Sequence, residues 1–344
     1  MAGGTRRQSR RTVIGAAALG ALAAALSACD AIQIGARGGR IKLGISPGNQ
    51  TLWRYLVARN NELLRSKSHL VDFINVSSED ELQTGLINGT FDVIATLIPA
   101  VPKIVAAGTP VRFFLPIAWL NEGYPLIVAE NSPIRSLPDA AGRRLATFPV
   151  GHPGFAYWQA FLLKHYGLRG AAISTNQSLE PHVALANGEA DAAFVAGAGW
   201  AQLKSAGGYR KVADLQGEFK WLTGIDRVPM FAGFVAKNTW IEENQRFVTD
   251  LVGAARQSLD QYKRTPSAFM DIVTSEPAYA ALSRDENIAI ATYLGYDAVN
   301  ADRVQITQED IDDYRRFLPL LVDSGVLPAL PGDPADLFYI PKTA

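Results

Sequence analysis

The sequence has one cysteine, Cys29, and four histidines in 344 residues. A single thiol makes no internal disulfide and no cysteine-based metal site. The histidines, His69, His152, His165 and His182, are scattered, and no His-Glu-x-x-His pair or Walker loop occurs. Neither sign of charge is in excess, 33 basic residues standing against 33 acidic, which argues against a nucleic-acid partner. The acidic pairs Glu242-Glu243 and Asp312-Asp313 fall in helix-like stretches and read as solvated faces. Beyond the amino-terminal region no apolar run is long enough to span a bilayer. No catalytic residue, metal or cofactor is expected from this inventory.

What is present starts at the amino terminus. Ser9-Arg10-Arg11 opens a basic region, residues 13–26 form an uncharged, alanine-rich run, and Leu26-Ser27-Ala28-Cys29 follows. That is the layout of a signal peptide over residues 1–28, with a twin-arginine-like entry and a lipoprotein cleavage box. The Cys29 thiol is the atom that takes the lipid; a plain membrane helix is the other reading. Cleavage removes Arg6, Arg7, Arg10 and Arg11 and leaves 29 basic against 33 acidic residues, a net of −4. Residues 29–40, rich in Gly and Ala, read as a tether to the membrane.

The remaining length exceeds the usual size of a single core, so two lobes are expected. Strand-like runs at 41–45, 70–76, 91–96 and 111–118 alternate with helix-like ones at 51–64 and 80–88 and from Leu97-Ile98-Pro99 onward. A second series follows: strands at 124–130, 144–150, 173–176 and 192–195, helices at 155–166 and 182–187. Residues 231–237 read as a strand crossing back, and 244–262, 266–273 and 309–321 as amphipathic helices packing on the first lobe. The proline-rich stretch 328–344 reads as an extended surface tail. INGTFDVIAT (87–96) and ANGEADAAFV (186–195) are a small internal echo, in keeping with two lobes of similar build. The alternation predicts open α/β sheets whose ligands sit at strand carboxyl ends.

Several segments fall at such ends. Asn49, Gln50 and Thr51 follow the first strand and offer donors and acceptors at a helix start. Thr96 and Ile98 close the third strand. Gly151, His152, Gly154 and Phe155 lie where a strand yields to a helix, a place that suits an anionic or polar group. Trp119 stands where the chain leaves the first lobe, and Gly199 and Trp200 follow the strand at 192–195, in a segment read as an inter-lobe loop. Trp119 and Trp200 could wall an organic ligand; Trp158 reads better as packing, and Trp53, Trp221 and Trp240 as structural. Each loop also reads as an ordinary connection.

One stretch tips this balance. Residues 134–168 run as polar turn, short strand, glycine loop and helix, with Ile134, Leu137, Asp139, Ala140, Gly142, Arg143, Gly151 and Gly167-Leu168 in a recurrent arrangement. The pattern resembles the second-lobe opening of ABC-transporter substrate-binding proteins of the nitrate/sulfonate/taurine and thiamine-pyrimidine-precursor (NMT1/THI5-like) type. Ala140 replaces a usual leucine and Arg143 a usual lysine. The resemblance extends in order over roughly residues 40–320. It implies a two-lobe periplasmic-binding-protein fold, type II-like, with each lobe an open sheet flanked by helices and a ligand cleft between them. Lobe 1 would be 41–118 plus 232–344, and lobe 2 would be 119–231. It also implies a monomer that captures a small organic anion such as a sulfonate or carboxylate and delivers it to a permease energised by a separate ATPase. A pyrimidine precursor is the alternative ligand; a tethered sensor and a THI5-like enzyme are the alternative roles.

Overall fold

The computed structural model describes residues 40–45, 62–76, 78–121, 124–148, 152–162, 181–275, 283–330 and 332–342. All of them fall within one compact unit, Gly38–Ala344. The segment expected to be a signal peptide, Cys29 and most of the expected tether lie outside the described residues, as do the strand expected at 173–176 and most of the helix expected at 51–64.

The chain opens with β1 (Ile41–Ile45), α1 (Glu62–Arg65), β2 (Val71–Asn75), α2 (Glu79–Asn88), β3 (Val93–Leu97), α3 (Ala100–Ala106) and β4 (Val111–Trp119). It continues through β5 (Leu126–Ala129), a 3-10 turn at Pro138–Ala140, β6 (Leu145–Ala146), α4 (Pro153–Ala160), α5 (Pro181–Ala186), β7 (Ala192–Phe194), α6 (Gly197–Ala206), β8 (Tyr209–Ala213) and α7 (Leu215–Thr223). Then come β9 (Met230–Lys237), α8 (Asn238–Glu243), α9 (Gln245–Arg264), α10 (Pro266–Ser275), α11 (Arg284–Tyr293) and α12 (Gln308–Asp323).

The strands form two sheets, ordered β2-β1-β3-β9-β4 and β6-β7-β5-β8. In the first, β1 runs parallel to β2 and β3, while β9 is antiparallel to both neighbours. Its register sets Val93 opposite Ala236 and Val111 opposite Lys237. A strand flanked on both edges and covered on both faces must be apolar throughout, and MFAGFVAK is buried up to its last residue. The second sheet is built from shorter strands, with β6 and β7 parallel and β5 antiparallel to β7 and β8. One apolar core runs continuously from Leu43 to Phe338, and a smaller cluster around Ile127, Ala193 and Leu203 packs separately.

Four readings of the sequence are corrected. Residues 196–200 are not a loop; Gly197 begins α6. The stretch from Tyr209 to Thr223, outside the expected elements, holds β8 and α7. α12 does not pack on the first sheet alone. Its Phe317 ring stacks on Tyr157 of α4 at 5.3 Å and meets Phe219 of α7 at 4.7 Å, because these rings offer it a large apolar area. The carboxyl-terminal stretch is no surface tail. A 3-10 turn at Pro334–Leu337 leads to Phe338, which is buried and stacked on Phe113 at 5.9 Å. Tyr339 N–H donates to Phe113 O at 2.7 Å. β4 is an edge strand, and the tail covers unpaired backbone that would otherwise invite another chain.

Candidate functional site

On the first-sheet side the site is built at the end of β3. Thr96 is buried, and its hydroxyl donates to Glu79 Oε2 at 2.9 Å. Glu79 opens α2, which Ser78 caps by accepting the Glu81 N–H at 3.2 Å. Ile98 N–H donates to Phe231 O at 3.3 Å, which ties the end of β3 to the start of β9. From α3, Lys103 is half-buried, and burial lowers its pKa against the opposing pull of Asp80 on α2.

On the second-sheet side the centre is Tyr124, a residue to which the sequence drew no attention. Its φ of 49° is in the left-handed region that non-glycine residues seldom occupy. Its backbone is held at both ends: the N–H donates to Tyr293 Oη at 2.6 Å, and the carbonyl accepts from Trp158 Nε1 at 2.8 Å. Around the ring stand Phe148 at 5.2 Å, Phe231 at 5.4 Å, His152 at 6.2 Å and Tyr293 at 6.2 Å. Gly154 packs beneath it so closely that an added Cβ would sit 2.7 Å from Tyr124 Cζ.

His152 caps α4. Its Nδ1 accepts the Gly154 N–H at 3.1 Å, and its carbonyl accepts from Phe155 and Ala156 at 3.0 and 3.2 Å. Pro153 has no N–H to give. The start of α4 therefore holds no spare donor, which corrects the expectation that it presents free N–H groups to an anion. Burial pushes the imidazole pKa down to about 4; Asp80 opposes that shift and Lys103 adds to it. The ring stacks on Phe148 at 4.7 Å, the planes 22° apart.

Of the residues singled out from the sequence, Ile98, His152 and Gly154 are thus gathered around Phe231 and Tyr124, with Thr96 at the end of the same strand. Phe155 is a core residue, 1% exposed. Trp119 is also buried; its ring meets Tyr296 edge-on at 6.3 Å, and its Nε1–H has no acceptor among the described residues. Trp158 packs as expected, stacked on Phe194 at 4.4 Å. Gly199 lies against the His182 ring, and Trp200 packs on the separate cluster around Ala193. Those two do not join the Tyr124 group. Asn49, Gln50, Thr51 and Gly151 lie outside the described residues. The sequence reading missed Tyr124, Phe148, Phe231, Lys103 and Asp80; nothing local in their neighbourhoods distinguishes them.

Residues 44–48, Gly-Ile-Ser-Pro-Gly, spell the glycine-serine-glycine elbow of serine hydrolases, and His69 Nε2 lies 2.8 Å from Asp250 Oδ2. Ser46 lies outside the described residues. Among the described residues no group of His, Cys, Asp or Glu is placed to hold a metal ion, and no helix is long and apolar enough to cross a membrane.

Comparison with known proteins follows this geometry. Residues 104–268 match the family model described as NMT1/THI5 like. No curated protein matches the chain in sequence. Among solved structures, the periplasmic aliphatic sulphonate binding protein SsuA of Escherichia coli superposes with a TM-score of 0.67 at 16% identity, over 89% of this chain and 93% of that one. The alkanesulfonate-binding protein SsuA of Xanthomonas axonopodis pv. citri, bound to MOPS, gives 0.65 at 17% identity over 87% and 98%. The periplasmic nitrate-binding protein NrtA of Synechocystis PCC 6803 gives 0.63 at 15% identity over 88% and 85%. Likeness at such identity speaks to the fold and leaves the ligand open. The chain carries an NMT1/THI5-like domain set within the two-sheet α/β fold of the periplasmic binding proteins.

Proposed function

We propose that this chain is the extracytoplasmic solute-binding component of an ABC importer, held to the membrane by a lipid on Cys29. Lobes 41–118 plus 232–344 and 119–231 close on a small organic molecule by hinge motion and present it to a permease and its ATPase. The protein does no chemistry on its cargo. The observation that carries this reading is the seam at Tyr124. There the end of β3 and the start of β9, through Ile98 and Phe231, meet the cap of α4 through His152 and Gly154. The His152 ring stands there against the aromatic rings of Phe148 and Tyr124, near the carboxyl end of β3, where ligands of open α/β sheets bind.

A thermal-shift screen of the purified protein against sulfonates, carboxylates and pyrimidines tests it. A cognate ligand at a hundredfold excess over Kd stabilises the fold by about 2.7 kcal/mol. Silence across all three classes would sink the solute-binding reading. The anchor is tested separately: Cys29→Ala should release the protein from the membrane fraction, and unchanged fractionation refutes lipid attachment.

A further inference from the structure

The next step rests on the solute-binding reading and names the chemistry of its ligand. His152 Nδ1 accepts the Gly154 N–H, and a ring nitrogen that accepts bears no proton. In the neutral imidazole the proton is therefore on Nε2. Protonating Nδ1 as well would break the cap of α4, and burial of the ring already opposes a charge there. Phe148 lies along one face of the ring and Tyr124 stands edge-on to it, so the imidazole cannot swing and Nε2–H has a set direction. Nothing among the described residues accepts from Nε2, and the half-buried ring is not sealed into the core.

The charges around the ring decide what this donor can read. Asp80 of α2 and Lys103 of α3 both act on it from the first-sheet side, with opposite signs. Glu79 adds a second carboxylate beside Thr96. From its own side come Tyr124 and the start of α4, whose N–H groups are consumed. Among the described residues, a sulfonate or carboxylate here would surrender its hydration and find no net positive charge facing the ring in return. A carbonyl oxygen or an aromatic ring nitrogen needs one donor and gives up far less.

We infer that His152 offers Nε2–H as a fixed, uncharged donor, and that this wall selects a small organic ligand with an uncharged acceptor over an oxyanion. This differs from the organic anion expected from the sequence and its resemblance.

Two measurements test the inference. Long-range 1H–15N NMR of the full protein labelled at histidine, with His152 assigned from His152→Asn, should show a protonated Nε2 and a bare Nδ1 from pH 5.5 to 8. An imidazolium, or a proton on Nδ1, overturns the inference without any ligand. The second is a thermal-shift screen of two panels, uncharged amides and nitrogen heterocycles against sulfonates and carboxylates, with calorimetry on each hit. Hits should come from the uncharged panel. Asparagine keeps a capping oxygen at position 152 while removing the imidazole donor, so His152→Asn should fold and bind those hits about tenfold more weakly. Hits confined to the anionic panel, or full affinity in His152→Asn, overturn the inference and leave solute binding intact. No hit in either panel, with the tautomer as expected, overturns solute binding and this inference with it.

Discussion

Arg227 lies just before β9, where the chain passes from α7 back into the first sheet, and it is the partner of a buried acid. Its guanidinium pairs with Asp313, reaches Asp310 Oδ1 at 3.3 Å, and touches the exposed Glu309 at 3.5 Å. Asp310 has other support: Arg303 Nη2 at 2.9 Å and the Thr307 hydroxyl and N–H of the α12 cap. Asp313 has no second ion pair among the described residues, and its side chain is only 9% exposed. Arg227→Met should therefore strand one carboxylate, at a cost of about 3–5 kcal/mol when that carboxylate is charged. Burial pushes the Asp313 pKa up to about 6, with Arg227 the chief opposing influence.

The sign follows from that shift. An acid whose folded pKa is raised contributes stability that is full below its unfolded pKa, near 3.9, and is lost as pH rises through about 6. Without Arg227 the folded pKa climbs further, so the variant loses more between pH 5 and 8 than the parent does. At pH 5 Asp313 is largely neutral in the fold, and losing Arg227 should cost only about 1 kcal/mol, an ordinary hydrogen bond. Urea unfolding of both proteins at pH 5 and 8 reads the difference directly. An equal penalty at the two pH values, or less than about 1 kcal/mol at pH 8, refutes the reasoning.

Three further outcomes are expected. Gly154→Val drives a side chain into the Tyr124 ring, whose Cζ lies 2.7 Å from the position of a Cβ, so the melting point should fall by the equivalent of about 1–3 kcal/mol even without ligand; an unchanged melt would mean that the ring is free to yield. Trp119→Phe removes a buried N–H that has no acceptor among the described residues, an unpaired group that costs about 1–3 kcal/mol, and so should be neutral or stabilising in urea despite lost ring area. A clear destabilisation would show that the indole has a partner. Phe338→Ala empties the place against Phe113 and Tyr314, and chemical unfolding should register a loss of about 3–5 kcal/mol. A surface tail would tolerate the change at no cost.

The sequence by itself determined whatever is written locally. Runs such as VIATL, rich in β-branched residues, had to be buried strands, and β3 is covered along its whole length. The turn at 136–142 was legible because Asp139 accepts from Arg135 and Ser136 N–H groups and Gly142 takes a φ of 70°. α7 and α11 carry local signals too, outside the elements expected from the sequence. Asp214 caps the one, and Ser283 with Glu286 makes a reciprocal capping box on the other. The alternation of these pieces gave the α/β class.

Tertiary structure decided what depends on partners distant in the chain. β9 could be read as a strand, but its slot between β3 and β4 is a pairing across more than a hundred residues, which no local pattern encodes. Apolar burial is likewise without direction: α12 shows an amphipathic stripe in sequence, and only the assembled rings of Tyr157 and Phe219 fix where that stripe lies. The site divides along the same line. The loop at His152 was visible as a strand-to-helix junction, yet its N–H groups proved to be spent on that residue's own ring and carbonyl. Tyr124 became the centre because Tyr293 of α11 and Trp158 and Gly154 of α4 hold its backbone and ring in a conformation that its own neighbours would not choose.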